Sequence, residues 1–234
     1  MHEEAYYQRS LSKAQENTLL RSVYNWMMLG LCISGFTAYF AANSLGVRQI
    51  IFGDSYTIWI LFIMELGLVF AISGGINRMT ASTASGLFLL FSFINGLTLS
   101  SIFLIYTASS ITSTFFVTGL TFGTMSAYGY FTKTDLTSWG KYLFMGLIGI
   151  IIASVVNMFL HNPVVDWLVS YIGVVIFVGL TAYDTQKIRL LGEKMGAADS
   201  EQYGKSAVVG ALALYLDFIN LFLMFLRIFG RGRD

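Results

Sequence analysis

A chain of 234 residues in which 56% are hydrophobic and only 12% charged cannot clothe itself in a polar surface, since a soluble globular domain carries roughly 25% charged residues. The remaining solvent is lipid. A formal net charge of +1 gives no field for nucleic acid or an acidic substrate, and one cysteine (Cys32) with two histidines (His2, His161) excludes a disulfide framework and offers no His/Cys metal set.

Residues 1–21 are polar and mixed in charge, with Glu3, Glu4, Arg9, Lys13, Glu16 and Arg21. They lack the apolar core and small-residue cleavage site of a signal peptide, so they read as a tail. A spanning helix needs about 20 mainly apolar residues, because ~30 Å of hydrocarbon is crossed at 1.5 Å per residue. Seven runs meet or approach that length: 22–42, 56–75, 84–106, 111–131, 142–160, 164–183 and 206–226. Alternation at period two is absent, which argues against a barrel, and helices satisfy their own backbone groups where lipid cannot. Proline occurs once, at Pro163. No low-complexity linker divides the chain. The expectation is an all-α membrane protein: a seven-transmembrane helical bundle over 22–230, with a C-terminal tail at 231–234. Gly119 with Gly123, and Gly30 with Ser34, have the spacing that lets helices approach closely, although ordinary bundle packing produces the same pattern.

Basic residues orient the bundle, since cytoplasmic loops hold the excess of Lys and Arg. The tail and the second, fourth and sixth loops contribute Arg9, Lys13, Arg21, Arg78, Lys133, Lys141, Lys187, Arg189, Lys194 and Lys205. The opposite loops contribute Arg48 until the C-terminus. The N-terminus is therefore expected in the cytoplasm. Seven crossings would then leave Arg227, Arg231 and Arg233 outside, against the rule. Either the last run re-enters and returns, or it crosses because earlier helices have fixed the topology; seven full spans is the reading adopted.

Three acids lie in or at the edge of apolar runs: Glu65, Asp184 and Asp217. A charge at that depth costs about 2.5–3.5 kcal/mol on insertion scales. Asp217 falls midway along its run, roughly 15 Å from either end at 1.5 Å per residue, with no basic residue within two turns. Protonation, a partner from another helix or a water-filled cavity must neutralise it; a protonated acid bonded to a neighbouring helix is the plain alternative. Asp184 closes the sixth run, where a solvated carboxylate or an i,i+3 pair with Lys187 would also explain it. Glu65 is mid-span in the second run and is a candidate cavity acid. Arg78 lies at the cytoplasmic end of that same helix.

If Asp184 and Asp217 face each other in a low dielectric, they cannot both ionise cheaply and must share a proton. Protonation then holds two helices together, and loss of the proton drives them apart. Arg78 could compensate the remaining charge. Such a pair is a pH-operated gate whose carboxylates can also attract Ca²⁺ or another cation. The run boundaries place Asp217 roughly 10–15 Å deeper than Asp184, so pairing requires tilt, a deeper sixth helix or a cytoplasmic vestibule.

The strings Gly179-Leu-Thr-Ala-Tyr-Asp-Thr-Gln-Lys187, Ala211-Leu-Ala-Leu-Tyr-Leu-Asp-Phe-Ile-Asn-Leu-Phe222 and Leu226-Arg-Ile-Phe-Gly230 resemble the closing signature of the Bax inhibitor family, the transmembrane Bax-inhibitor-motif proteins. The likeness covers nearly all of the hydrophobic region and is to the bacterial inner-membrane branch. It implies a seven-helix fold with the last helix central, and a proton-sensitive Ca²⁺ leak controlled by two aspartates, which fall by motif on Asp184 and Asp217. It also implies an arginine at the cytoplasmic end of the second helix, for which Arg78 is the candidate. Eukaryotic members are tied to suppression of cell death, and some bacterial ones to modulation of a membrane protease.

Other chemistries fit less well. An intramembrane aspartyl protease would account for Tyr183-Asp184, but Tyr215-Leu-Asp217 lacks its Gly-x-Gly-Asp pattern and no Pro-Ala-Leu segment follows. A retinal Schiff base needs a buried lysine, and every lysine lies in a tail, a loop or at a helix edge. His161 falls in an outer loop without a serine partner, and no phosphate-binding G-x-x-x-x-G-K-[ST] occurs. The chain is expected not to be an enzyme and to hold no cofactor, with Ca²⁺ as a permeating ion only. A non-transport alternative is a bundle that binds and restrains another membrane protein such as a protease, with Tyr6 and Tyr7 of the tail as docking residues. The expected partners are the lipid bilayer and such a membrane protein, not nucleic acid, with the oligomeric state open.

Overall fold

In the computed structural model of this chain the structure describes residues 2–195 and 199–232, with side chains from Thr18 onward except Ser55. The side chains of Tyr6, Tyr7, Arg9 and Lys13, and all of Arg233, lie outside the described residues. The elements in order are α1 (His2–Asn43), α2 (Leu45–Phe52), α3 (Ser55–Gly75), a 3₁₀ turn (Ile76–Arg78), α4 (Ala81–Leu99), α5 (Ile102–Ile105), α6 (Ala108–Phe131), α7 (Thr137–Leu160), α8 (Pro163–Met195) and α9 (Ser200–Phe229). No sheet forms among the described residues; one antiparallel bridge joins Tyr106 to Gly232.

Five helical segments are long and apolar enough to cross a membrane: Tyr56–Arg78, Ala81–Ile105, Thr137–Leu160, Pro163–Met195 and Ser200–Phe229. A sixth arises if Thr18–Asn43 and Leu45–Phe52, bent by 98° at Ser44, count as one span. The expected seven runs are thus helical but not equally apolar. The run at 111–131 forms α6, whose 24 residues are long enough; Ser, Thr and Gly at about every second position dilute its hydropathy below that of the other five. The backbone of the tail is helical from His2, and Leu19, before the first apolar run, is fully buried.

The chain divides into two compact units, residues 1–105 with 188–215 and residues 106–187 with 216–234. In the first, α1 crosses α4 where small residues allow it. A Cβ at Gly96 would stand 2.7 Å from the Ser34 carbonyl oxygen, and one at Gly30 would stand 2.7 Å from Phe88 Cζ. Gly30 and Ser34 are therefore a true contact pair against α4. The α9 segment of this unit buries Val208, Leu212 and Tyr215, the last wedged edge-on between Phe88 and Phe91 at 5.9 and 5.5 Å. Glu201 accepts a 2.6 Å bond from the Ala81 amide, tying the start of α9 to the start of α4.

In the second unit α8 is the helix against which the others close. Gly129 of α6 abuts the Ala182 carbonyl, Gly140 of α7 lies under the Tyr183 ring, and Gly173 of α8 faces Met224 of α9. Gly119 and Gly123 meet nothing, so that glycine pair makes no helix contact among the described residues. Outward faces carry Phe116, Leu120, Met145, Ile152 and Phe159, an apolar surface suited to lipid. The α9 window is 67% buried whereas that of α7 is 11% buried, which makes α9 an interior helix and α7 a peripheral one.

Candidate functional site

Asp184 on α8 and Asp217 on α9 belong to the same unit, and their side-chain carboxyls lie within hydrogen-bonding reach of each other. An ionised carboxylate can only accept, so a hydrogen bond between the two requires a proton on one of them. Asp217 is 4% exposed, and its Oδ2 is buried with no hydrogen-bond partner among the described residues. Asp184 is half-buried.

The depth mismatch inferred from the run boundaries disappears because α8 does not stop at Tyr183. It continues to Met195, about three turns further, or roughly 16 Å at 1.5 Å per residue. Residues 187–195 include Lys187, Arg189, Glu193 and Lys194, which end an apolar run but are good helix formers, and Ile188 stays buried in the continuing stripe. Arg189 and Glu193 approach to 3.8 Å in an i,i+4 pair. The basic cluster read as a sixth loop is thus largely helix, and Asp184 is interior to α8.

The residues around Asp184 hold its turn in place. Thr181 and Thr185 back-bond to Phe177 and Thr181 carbonyls at 2.8 Å each, and Thr185 Oγ1 lies 2.9 Å from Ser126 Oγ on α6. Gln186 donates to the Thr134 carbonyl at 2.8 Å and accepts from the Leu136 amide at 2.8 Å, clamping the α6–α7 connection. Lys187 Nζ lies 5.8 Å above the Tyr183 ring; among the described residues it closes no ion pair with Asp184. On the other side of the pair, Phe218 packs on Phe115 and Phe122 at 5.4 and 5.5 Å. The site is an acid pair with an apolar wall on α9 and a hydroxyl- and amide-rich wall on α8. Among the described residues no three His, Cys, Asp or Glu side chains converge on a metal position; two carboxyls suit a passing cation better than a resident one, since Ca²⁺ takes 6–8 oxygen ligands.

Glu65 belongs to the first unit, and each of its oxygens accepts a hydrogen bond. Oε1 accepts from Thr98 at 2.6 Å and Oε2 from Asn95 at 3.2 Å. Asn95 Oδ1 in turn accepts from the Tyr215 hydroxyl at 2.8 Å, and that hydroxyl lies 2.6 Å from Ser34 Oγ. Ser34 also donates toward the Ser92 and Gly30 carbonyls at 2.7 and 3.0 Å. One buried thread of polar groups thereby links α3, α4, α9 and α1. Sequence reasoning found Glu65 without its partners, because Asn95, Thr98 and Ser34 are ordinary residues for a membrane helix. Arg78 ends the 3₁₀ turn of this unit with its side chain exposed.

Fold and site together define a helical integral membrane protein with a close pair of acids on its last two helices. The sequence profile described as "Inhibitor of apoptosis-promoting Bax1" matches residues 16–234. The chain belongs to this family, the Bax inhibitor family. It is 50% identical over 221 residues to the inner membrane protein YbhL of Escherichia coli K12, covering 94% of each chain. It is also 50% identical over 219 residues, 94% of each chain, to an uncharacterized protein of Borreliella burgdorferi. A third relative, from Rickettsia prowazekii, is 42% identical over 212 residues, 91% of this chain and 89% of its own.

Proposed function

We propose that this protein is a pH-sensitive cation leak of a bacterial inner membrane that passes Ca²⁺, gated by the Asp184–Asp217 pair. The observation that carries the reading is the close approach of these two acid side chains, within hydrogen-bonding reach of each other. With one proton the pair joins α8 to α9. Without it, two carboxylates repel at close range in a medium that screens poorly, and the vacated contact presents up to four oxygens to a cation. The sign follows from the bond: it exists in the protonated form, so it is kept at low pH and lost as pH rises. Flux should rise with pH.

In the same proposal the N-terminus is cytoplasmic, α6 crosses as a seventh span despite its hydroxyl content, and the interior α9 is the central helix. No chemical step is required of the protein. The test is Ca²⁺ flux into liposomes holding the purified chain, measured across pH for the native protein and for Asp217→Asn. The variant should lose the pH dependence, because an amide cannot deprotonate. Unchanged flux with an unchanged pH response in Asp217→Asn would falsify the gate.

A further inference from the structure

The end of the second unit where α8 begins and α9 ends holds a cavity of about 390 Å³, lined by Tyr106, Asp166, Trp167, Ser170, Arg227 and Ile228. That volume falls in the range of small-ligand sites. It contains one acid and one base, and among the described residues they form no ion pair with each other.

Both walls are fixed. Asn157 grips the α7–α8 turn, donating to the Asn162 carbonyl at 3.1 Å and to Asp166 Oδ1 at 2.7 Å while accepting from the Asn162 amide at 3.0 Å. His161 turns the chain there with φ 51°. Asp166 Oδ1 is therefore engaged and its second oxygen remains for a ligand. Ser170 back-bonds to the Asp166 carbonyl at 2.7 Å, leaving its oxygen lone pairs toward the cavity. On the opposite wall the residues after α9 are tied to the α5–α6 connection: Thr107 N donates to the Arg231 carbonyl at 3.1 Å and Arg231 N to Ser110 Oγ at 3.0 Å. Gly230 leaves room for the Tyr106 ring, which a Cβ would meet at 2.6 Å. Arg227, in the last turn of α9, projects from this anchored end with an exposed side chain.

The cavity sits at the termini of two helices long and apolar enough to cross a membrane, and Trp167 and Tyr171, ring centroids 5.5 Å apart with planes tilted by 32°, are the residue types that mark membrane–water interfaces. An anion alone would face the Asp166 carboxylate, and a cation alone would face Arg227. A ligand carrying both charges meets both partners.

We propose that this cavity binds a phosphate ester bearing a primary ammonium, the chemistry of an ethanolamine phospholipid headgroup, with Arg227 on the phosphate and Asp166 on the ammonium beside the Trp167 ring. Guanidinium matches phosphate in a bidentate fork, and an ammonium gains both a charge-assisted hydrogen bond and an aromatic face. A choline headgroup has no N–H to donate to Asp166, and a glycerol headgroup has no cation.

The test is competitive lipid retention by the purified full chain in detergent, read by native mass spectrometry with phosphatidylethanolamine, phosphatidylcholine and phosphatidylglycerol of identical acyl chains. The native protein should retain the ethanolamine lipid roughly tenfold over either other, the worth of one charge-assisted hydrogen bond. Asp166→Asn keeps the Asn157 contact but should erase that preference, and Arg227→Gln should weaken retention of all three. Free phosphoethanolamine is the second arm: competition by it assigns the site to the zwitterion from either source, and retention of lipid that it cannot displace assigns the site to the headgroup in its bilayer setting. If Asp166 and Arg227 merely compensate their own helix dipoles, both variants lower thermal stability equally in every lipid and leave the selectivity intact. That result, or equal retention of the three lipids by the native chain, overturns the proposal.

Discussion

In the proposed gate Asp184 and Asp217 act through one contact, so their substitutions should not act independently. Asp184→Asn and Asp217→Asn each replace a titrating carboxyl of that contact, and the double variant should respond to pH no differently from either single one. Additive effects on flux would show that the acids act separately. Tyr215 supplies a different test in the first unit. Replacing it with Phe keeps the ring between Phe88 and Phe91 but strips the bond to Asn95 and the contact with Ser34, leaving a buried acceptor unpaired. The expected loss is about 1–3 kcal/mol, measured as a lower midpoint of denaturation with no change in the pH response of flux. Outside the spans, hydrogen bonds from the Thr137 side chain and then its backbone hold the Asp135 carboxyl below the usual carboxylate range. Its contribution to stability is present above the ordinary aspartate titration and is lost as pH falls through the lowered value. Carboxyl NMR should find that midpoint depressed, and Thr137→Ala should move it back up.

At the scale of the helix, glycine positions separate contact from mere spacing. Gly129→Ala drives a methyl into the Ala182 backbone carbonyl, which cannot turn aside, and should cost about 1–3 kcal/mol as overpacking does. Gly119→Ala meets open space and should be neutral or stabilise by up to about 1 kcal/mol through helix propensity. A thermal shift series on the two variants reads both signs, and equal destabilisation would contradict the packing described. The pair Gly119 and Gly123 has the motif spacing and no contact, whereas Gly129, Gly140 and Gly173 have contacts and no motif. The helices themselves were legible from length and apolarity alone, because lipid leaves the backbone few alternatives. Their ends were not. Hydropathy ends where Lys187 begins, but helix propensity and the buried Ile188 carry α8 to Met195, and this difference decides whether Asp184 can reach Asp217. Likewise the turn at Ser44 divides an apolar stretch that carries no proline. The two aspartates were visible as costly residues; Gln186 and Ser126, which hold the turn around Asp184, were not, because a polar residue that bonds across helices has no signature in its own neighbourhood.

For the molecule as a whole, the orientation drawn from basic residues can be checked directly. On a Cys32→Ser background, Arg78→Cys should react with a membrane-impermeant maleimide only from the cytoplasmic face, and Asn162→Cys only from the opposite face. Labelling of both from one side would mean that the chain crosses an even number of times over α4 to α7, and the spans there would have to be recounted.

The thread from Glu65 to Ser34 has a property that follows from counting hydrogens. Tyr215 and Ser34 own one hydroxyl hydrogen each, yet between them they span contacts to Asn95, to each other and to the Ser92 carbonyl. Two hydrogens cannot fill three positions. One of the three contacts therefore goes without a hydrogen at any moment, so the same heavy atoms accommodate more than one arrangement of protons while no helix has to move.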